Sequence, residues 1–388
     1  MDNVIQDYPW GSKTAIRDFF DVSNSEDKPQ AEIWMGAHPK ASSSVVHNGE
    51  VISLCELIEQ APEAMLSKET YEKFHELPYL FKVLAAEKAL SIQVHPSKEQ
   101  AQEGFERENQ LGIDIAAANR NYKDPNHKPE LVYALTEYSA LNGFRGKQQI
   151  FDLLTSLQIG VIDEICTNGR DLDEESFIKH CFIDLLSLSG ADKQSALNGL
   201  YHYSNKNADQ PLFELIVELF SQYENDMGVF CPLMLNFVVL QPGEAMFLYA
   251  QTPHAYIKGL GLEVMANSDN VLRAGLTNKH IDIQELVSCT LFQAIAMDKI
   301  KMLPTSVDNI DVYPIPVSDF QFAILNGAEH TELTMNSAEI IMAIDCEVEL
   351  VNGDTCLVLE KGQSSFVPAS TRSYSLSSVG RIARVFTQ

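Results

Sequence analysis

Four side chains of this sequence have the types and placement to hold a metal ion. Gln93 and His95, in SIQVHP, stand two residues apart on an expected strand, so their side chains leave the same face. A lone histidine at a strand end is more often a hydrogen-bonded structural residue than a ligand. Glu130, in NHKPELVYAL, opens another strand directly after Pro129, where its plainest role is an exposed strand start. His254 follows Thr-Pro at the end of the apolar run AMFLYA, a placement suited to a barrel mouth. Two neutral imidazoles, one carboxylate and one amide oxygen form a borderline N/O set suited to zinc, with room left for water or substrate. A divalent ion held by one carboxylate keeps a net positive charge and acts as a Lewis acid on a carbonyl or alkoxide. Spacing alone does not bring the four together.

The elements that must position them read as mixed from the start to about Arg145, with short apolar strands between helix-prone stretches at Ser53–His75 and Glu99–Tyr122. From Gly146 to Met227, FDLLTSL, FIKHCFIDLLSL and LFELIVELFSQY place apolar side chains three and four apart, the pattern of a helical insertion. Strand character returns at CPLMLNFVVLQPGEAMFLYA, and from about Ile300 short strands and turns fill the rest, as in a jelly roll. The expected division is 1–145 and 228–299 for a catalytic barrel, 146–227 for the insertion and 300–388 for a second barrel. An internal echo supports two barrels: LQPGEAMFLYAQTPH from Leu240 aligns without gaps on LEKGQSSFVPASTRS from Leu359. The second copy carries Ser373 where the first carries His254, so its expected role is structural.

The bulk composition narrows the function. A length of 388 residues with 45% hydrophobic and 21% charged residues describes a folded chain of two or three domains. The net charge of −26 argues against a nucleic-acid partner and obliges any anionic substrate to find local cations. No apolar run is long enough to span a bilayer, and the N-terminus reads as neither signal nor anchor, so a cytoplasmic protein without membrane partners is expected. Seven cysteines, widely spaced and never as CxxC, read as reduced thiols. Neither GxxxxGK[ST] nor a GxGxxG after a strand occurs, which disfavours a kinase or a dehydrogenase.

The chain resembles the type I mannose-6-phosphate isomerases. The likeness runs through YPWGSK at Tyr8, AEIWMGAHPKAS at Ala31, LPYLFKVLAAEKALSIQVHP at Leu77, NHKPELVYAL at Asn126, LNGFR at Leu141, TPHAYIKG at Thr252 and GLEVMANSDNVLRAGLTNKHID at Gly261. These blocks span about three quarters of the chain, and the last hundred residues resemble the family's second barrel only loosely. The resemblance implies a mainly β fold with α insertions: two cupin-type jelly-roll barrels plus a helical domain. It implies one zinc ion on Gln93, His95, Glu130 and His254, the set that ligand chemistry also selects. It also implies Arg273 as an active-site guanidinium that stabilises developing negative charge and does not serve as base.

Moving a carbonyl between C1 and C2 of a ring-opened sugar requires a proton carrier, for which Glu263, Asp269, His127 and Lys128 are the candidates. Ser91, Lys82, Lys128 and Lys279 are the candidates for the phosphate. The only two tryptophans, Trp10 and Trp34, read as packing between the N-terminal strands and the barrel. The expected partner is a small sugar phosphate and the expected state a monomer. Two rival readings are an iron cupin oxygenase, which the glutamine beside His95 fits poorly, and a non-enzymatic sugar-binding cupin. Metal content separates them.

Overall fold

The computed structural model describes residues 1–387. Nine strands build the first barrel around the ligand candidates: β1 (Glu32–Met35), β2 (Tyr79–Ala86), β3 (Ile92–Val94), β4 (Glu130–Ala134), β5 (Tyr138–Phe144), β6 (Leu235–Leu240), β7 (Ala245–Leu248), β8 (His254–Ala266) and β9 (Leu272–Gly275). The long strand β8 belongs to both sheets. Its first residues pair with β3 and β5, placing His254 opposite Gln93 and Asn142. Its second half pairs with β2 and β4, placing Glu263 opposite Lys82 and Val132. The change of sheet occurs at Gly259, whose φ of +133° and close approach to the Glu137 carbonyl exclude a side chain.

A second barrel is built from β10 (Gln321–Thr334), β11 (Glu339–Ala343), β12 (Val348–Asn352), β13 (Thr355–Leu359), β14 (Ser364–Val367) and β15 (Ser373–Phe386). Its pairings repeat those of the first. β15 lies against β10, β11 and β12 as β8 lies against β2, β4 and β5. Likewise β11 pairs β14 and β12 pairs β13, as β4 pairs β7 and β5 pairs β6. The sequence echo falls on equivalent elements: a strand end, a turn with a positive-φ glycine (Gly243 or Gly362), a short strand, then the start of the long strand at His254 or Ser373. Where β12 and β13 are joined by Gly353 and Asp354 alone, β5 and β6 are separated by five longer helices, Lys147–Ser156, Gly160–Asn168, Glu174–Ser187, Gly190–Lys206 and Pro211–Gln222, and the short helices Met227–Phe230 and Cys231–Met234. The helical insertion therefore grows from the tip of one barrel hairpin, with Phe144 still opposite Leu235.

Alternation along the strands sorts the cores. On β4, Leu131 and Tyr133 face a cluster shared with Phe320, Phe322 and Ile340 of the second barrel, while Val132 and Ala134 face the first barrel's interior. By the same period Lys82, Glu130 and Glu263 point inward, which is how three charges come to be buried together. Ile92 and Val94 turn outward onto the helices, leaving Ser91, Gln93 and His95 for the interior.

Two stretches differ from expectation. The helix-prone segment Glu99–Tyr122 is helical only to Gln110, behind a capping box of Ser97 and Gln100. Beyond it the buried Arg120 donates to the carbonyls of Phe105, Ile113 and Tyr122 and pairs with Glu108, pinning an irregular loop. At the other end of the insertion, Cys231–Met234 is a short helix, because Pro232 suits a first helical turn and cannot donate to a sheet.

Candidate metal centre and substrate cleft

Three prolines border the ligand candidates: Pro96 follows His95, Pro129 precedes Glu130 and Pro253 precedes His254. Each ends or begins a strand at the ligand, where a missing backbone N–H costs no ladder bond. The three side chains are buried, and their donor atoms lie within 4.8 Å of one another. His95 Nε2 is 3.3 Å from Glu130 Oε1, and His254 Nε2 is 3.4 Å from Glu130 Oε2. Ligand atoms about 2.0–2.1 Å from a tetrahedral zinc stand roughly 3.3–3.4 Å apart, so the spacing fits.

Both imidazoles are oriented from behind. His95 Nδ1 lies 2.7 Å from the Asn270 carbonyl and His254 Nδ1 2.9 Å from the Thr252 carbonyl, so each Nδ1–H donates outward and each Nε2 lone pair faces Glu130. Despite its 3.3 Å approach, His95 Nε2 lacks hydrogen-bond alignment with Glu130 and is a buried polar atom without a partner. An orphaned buried nitrogen is costly in a folded protein and is explained by a missing ligand. Burial lowers the His95 pKa to about 4, keeping the ring neutral. Burial alone would raise the Glu130 carboxyl, but Lys128 and the two imidazoles hold it well below the usual carboxylate range. Gln93, opposite both His254 and Arg273 in the sheet, donates through Nε2 to Ser91 Oγ at 3.3 Å, which leaves the amide oxygen as its ligating atom. These residues fit a zinc ion.

Above this set opens a cleft of about 960 Å³. Six cations line it (Lys88, Lys123, Lys128, Lys258, Arg273 and Lys279) against four carboxylates (Glu32, Glu87, Glu218 and Asp269), a local excess of two positive charges on a chain of net charge −26. Among the described residues Arg273 makes no ion pair or hydrogen bond through its guanidinium. Burial, then the charges of Arg273 and Lys123, lowers the Lys279 ammonium, and all three cations line the cleft without a carboxylate partner among the described residues.

The proton-carrier candidates separate. Lys128 Nζ lies 3.2 Å from Glu130 Oε1 and lines both the inner chamber and the cleft. Asp269 lines the cleft, paired to Lys40 at 2.7 Å. Glu263 is deeper, 2.9 Å from the buried Lys82 Nζ. His127, in the irregular stretch before β4, lines a different cavity from Lys128, and its Nε2 sits 3.0 Å from Asp319, so it is not among the groups gathered at the ligands. Lys82 is held between Glu263 and Glu32, the latter at 3.9 Å, and is neutralised there, unlike Lys279.

Residues that sequence reasoning did not single out include Glu32, Lys123, Asn270 and Tyr256, whose hydroxyl donates to Glu130 Oε2 at 3.3 Å. Asn270 is fixed by hydrogen bonds to and from the Lys123–Asn126 segment, so its carbonyl is a rigid support for His95. Trp34 packs as expected, its Nε1 donating to Glu32 at 2.5 Å, whereas Trp10 also lines the cleft.

Fold and site together define a two-barrel cupin protein with a divalent-metal centre under a cationic cleft. Residues 1–147 match the description "Phosphomannose isomerase type I, catalytic domain", residues 158–235 its helical insertion domain and residues 309–387 "Mannose-6-phosphate isomerase, cupin domain". The chain is 43% identical to the mannose-6-phosphate isomerase of Salmonella typhimurium over 100% of this chain and 98% of that one. It is 32% identical to the human enzyme, covering 95% and 92%. A crystal structure of zinc-bound mannose 6-phosphate isomerase superposes with a TM-score of 0.95 at 43% identity, covering 100% of this chain and 98% of that one. The chain belongs to the type I phosphomannose isomerase family. Neither the oxygenase nor the non-enzymatic cupin reading finds support among these relatives.

Proposed function

We propose that this chain interconverts mannose 6-phosphate and fructose 6-phosphate by proton transfer between C1 and C2 of the open-chain sugar. The observation that carries this reading is the unpartnered, buried Nε2 of His95, spaced for zinc with Glu130 and His254 beneath a cleft that holds the unpaired Arg273. Gln93, His95, Glu130 and His254 would hold the zinc, which when bound supplies Lewis-acid polarisation of the substrate oxygens. Arg273 stabilises the negative charge that develops on the enediol-type intermediate. Lys128, the candidate nearest the ligands, acts at Nζ as the free amine, taking the proton from C2 and returning it to C1, while the O2 hydroxyl proton passes to O1. Lys279, with Lys123 beside it, receives the phosphate as point charges, and Ser91 adds a hydroxyl donor. Lys82 holds Glu263 in place.

Among the described residues no helix is long and apolar enough to cross a membrane. Action as a cytoplasmic monomer without nucleic-acid partners is part of the same reading, supported by the net charge of −26. Turnover of mannose 6-phosphate in D2O tests the reaction. The expected product is fructose 6-phosphate carrying solvent deuterium at C1. Absence of fructose 6-phosphate would contradict the reading, and product without deuterium would count against an exchanging carrier such as Lys128.

A further inference from the structure

We infer that Gln222, Tyr223 and Asp226, at the exit of the helical insertion, are positioning residues that fix the two cleft-lining stretches flanking the paired strands β3 and β9, residues 89–91 and 277–279, an inference that rests on the isomerase reading. Gln222 Oε1 accepts from the Ala89 N–H at 2.9 Å, and the Tyr223 hydroxyl donates to the Ala89 carbonyl at 2.7 Å. Both backbone groups of one residue are therefore held from the insertion. Ala89 precedes Ser91 by two residues and the ligand candidate Gln93 by four. Three residues past Tyr223, Asp226 Oδ2 accepts from the Thr277 N–H at 2.9 Å, while its Oδ1 accepts from Gly228 at 2.7 Å. Thr277 lies between Arg273 and Lys279. The contact there is backbone to backbone: a Cβ on Gly275 would sit 2.6 Å from Gly228 Cα.

One five-residue segment thus grips the stretch leading into β3, which carries Ser91, and the stretch leaving β9, which carries Lys279, while β3 and β9 themselves are paired, Val94 with Leu272 and Gln93 with Arg273. The apolar cluster joining the helices to Ile92, Val94, Leu272 and Ala274 already docks the insertion on the barrel. The polar grip adds position to an attachment that exists without it. A sugar phosphate reaching from the metal ligands to the cationic end passes both stretches, so their placement decides how well Ser91 and Lys279 hold it.

Gln222→Met and Tyr223→Phe remove one grip each, and Gln222→Glu keeps an acceptor for Ala89. Hydrogen–deuterium exchange at residues 87–91, zinc content, KM and kcat read the result. The expected outcome for the first two variants is faster exchange at 87–91, zinc retained, and kcat/KM lowered about tenfold mainly through KM. Gln222→Glu should stay within about threefold of the parent. Unchanged KM and kcat in folded, zinc-loaded Gln222→Met and Tyr223→Phe would overturn the inference. Tyr223→Phe, which loses one hydroxyl, keeps the test open if Gln222→Met does not fold. If the parent protein fails to isomerise the sugar, the isomerase reading falls, and exchange at 87–91 alone decides the grip: faster exchange supports it and unchanged exchange overturns it.

Discussion

The carboxylate of Glu130 is the one negative group between two imidazoles and an ammonium, so each neighbour depends on it. Glu130→Gln keeps the size and removes the charge. Zinc content after dialysis against a weak chelator should then fall, with affinity lowered at least about tenfold. Lys128 and Lys82 look alike in sequence but predict different losses. Lys128→Met should lower kcat by about 10²–10⁴-fold with zinc retained, the range for a lost acid–base group. Lys82→Met leaves Glu263 and Glu32 buried without a counter-charge and should cost about 3–5 kcal/mol in urea unfolding. The shared inward face of Gln93 with His95, and of Lys128 with Glu130, was legible because strand side chains repeat every two residues. The capture of Lys82 was not, because its partner Glu32 comes from a strand some fifty positions away and is placed by sheet register. Lys123 sits in an irregular loop, where no period announces which way a side chain points.

At the scale of elements, β8 carries His254 into one sheet and Glu263 into the other, and Gly259 is where the strand turns between them. Gly259→Ala puts a Cβ 2.6 Å from the Glu137 carbonyl at a φ of +133°. It should destabilise the protein by about 1–3 kcal/mol, seen as a lower urea midpoint, and reduce kcat/KM as both site residues shift. Three insertion helices, Lys147–Ser156, Glu174–Ser187 and Pro211–Gln222, were legible from apolar spacing of three and four, and the two-barrel repeat from the Leu240 and Leu359 echo. The end of the helix at Gln110 was missed although a glycine marks it: Gly112 takes a φ of +70°, and the Ile113 N–H donates back to the Glu108 carbonyl at 3.0 Å, closing the last turn.

At the scale of the whole molecule, the barrels are joined by a shared apolar cluster and by Arg381, which pairs with Asp345 at 2.8 Å and donates to the Tyr133 hydroxyl of the first barrel at 3.2 Å. The Arg381 hydrogen bonds hold the Asp345 carboxyl below its ordinary range, against the upward push of burial. A carboxyl depressed by folding stabilises the protein above its unfolded pKa of about 4, and that stabilisation is lost as pH falls through the folded value. The gap in urea midpoint between the parent and Asp345→Asn should therefore be present at neutral pH and narrow below about pH 4; a gap unchanged in acid would rule out the ion pair as its source. The proposed reading puts the sugar phosphate in the cationic cleft above His95, Glu130 and His254, where an acidic chain offers it a local positive charge. The central claim is tested most directly by the rate of mannose 6-phosphate conversion to fructose 6-phosphate, measured on purified protein before chelation, after it, and after zinc is returned. The account predicts conversion that is lost with the metal and restored with it, and fully zinc-loaded protein that leaves mannose 6-phosphate unchanged would contradict it.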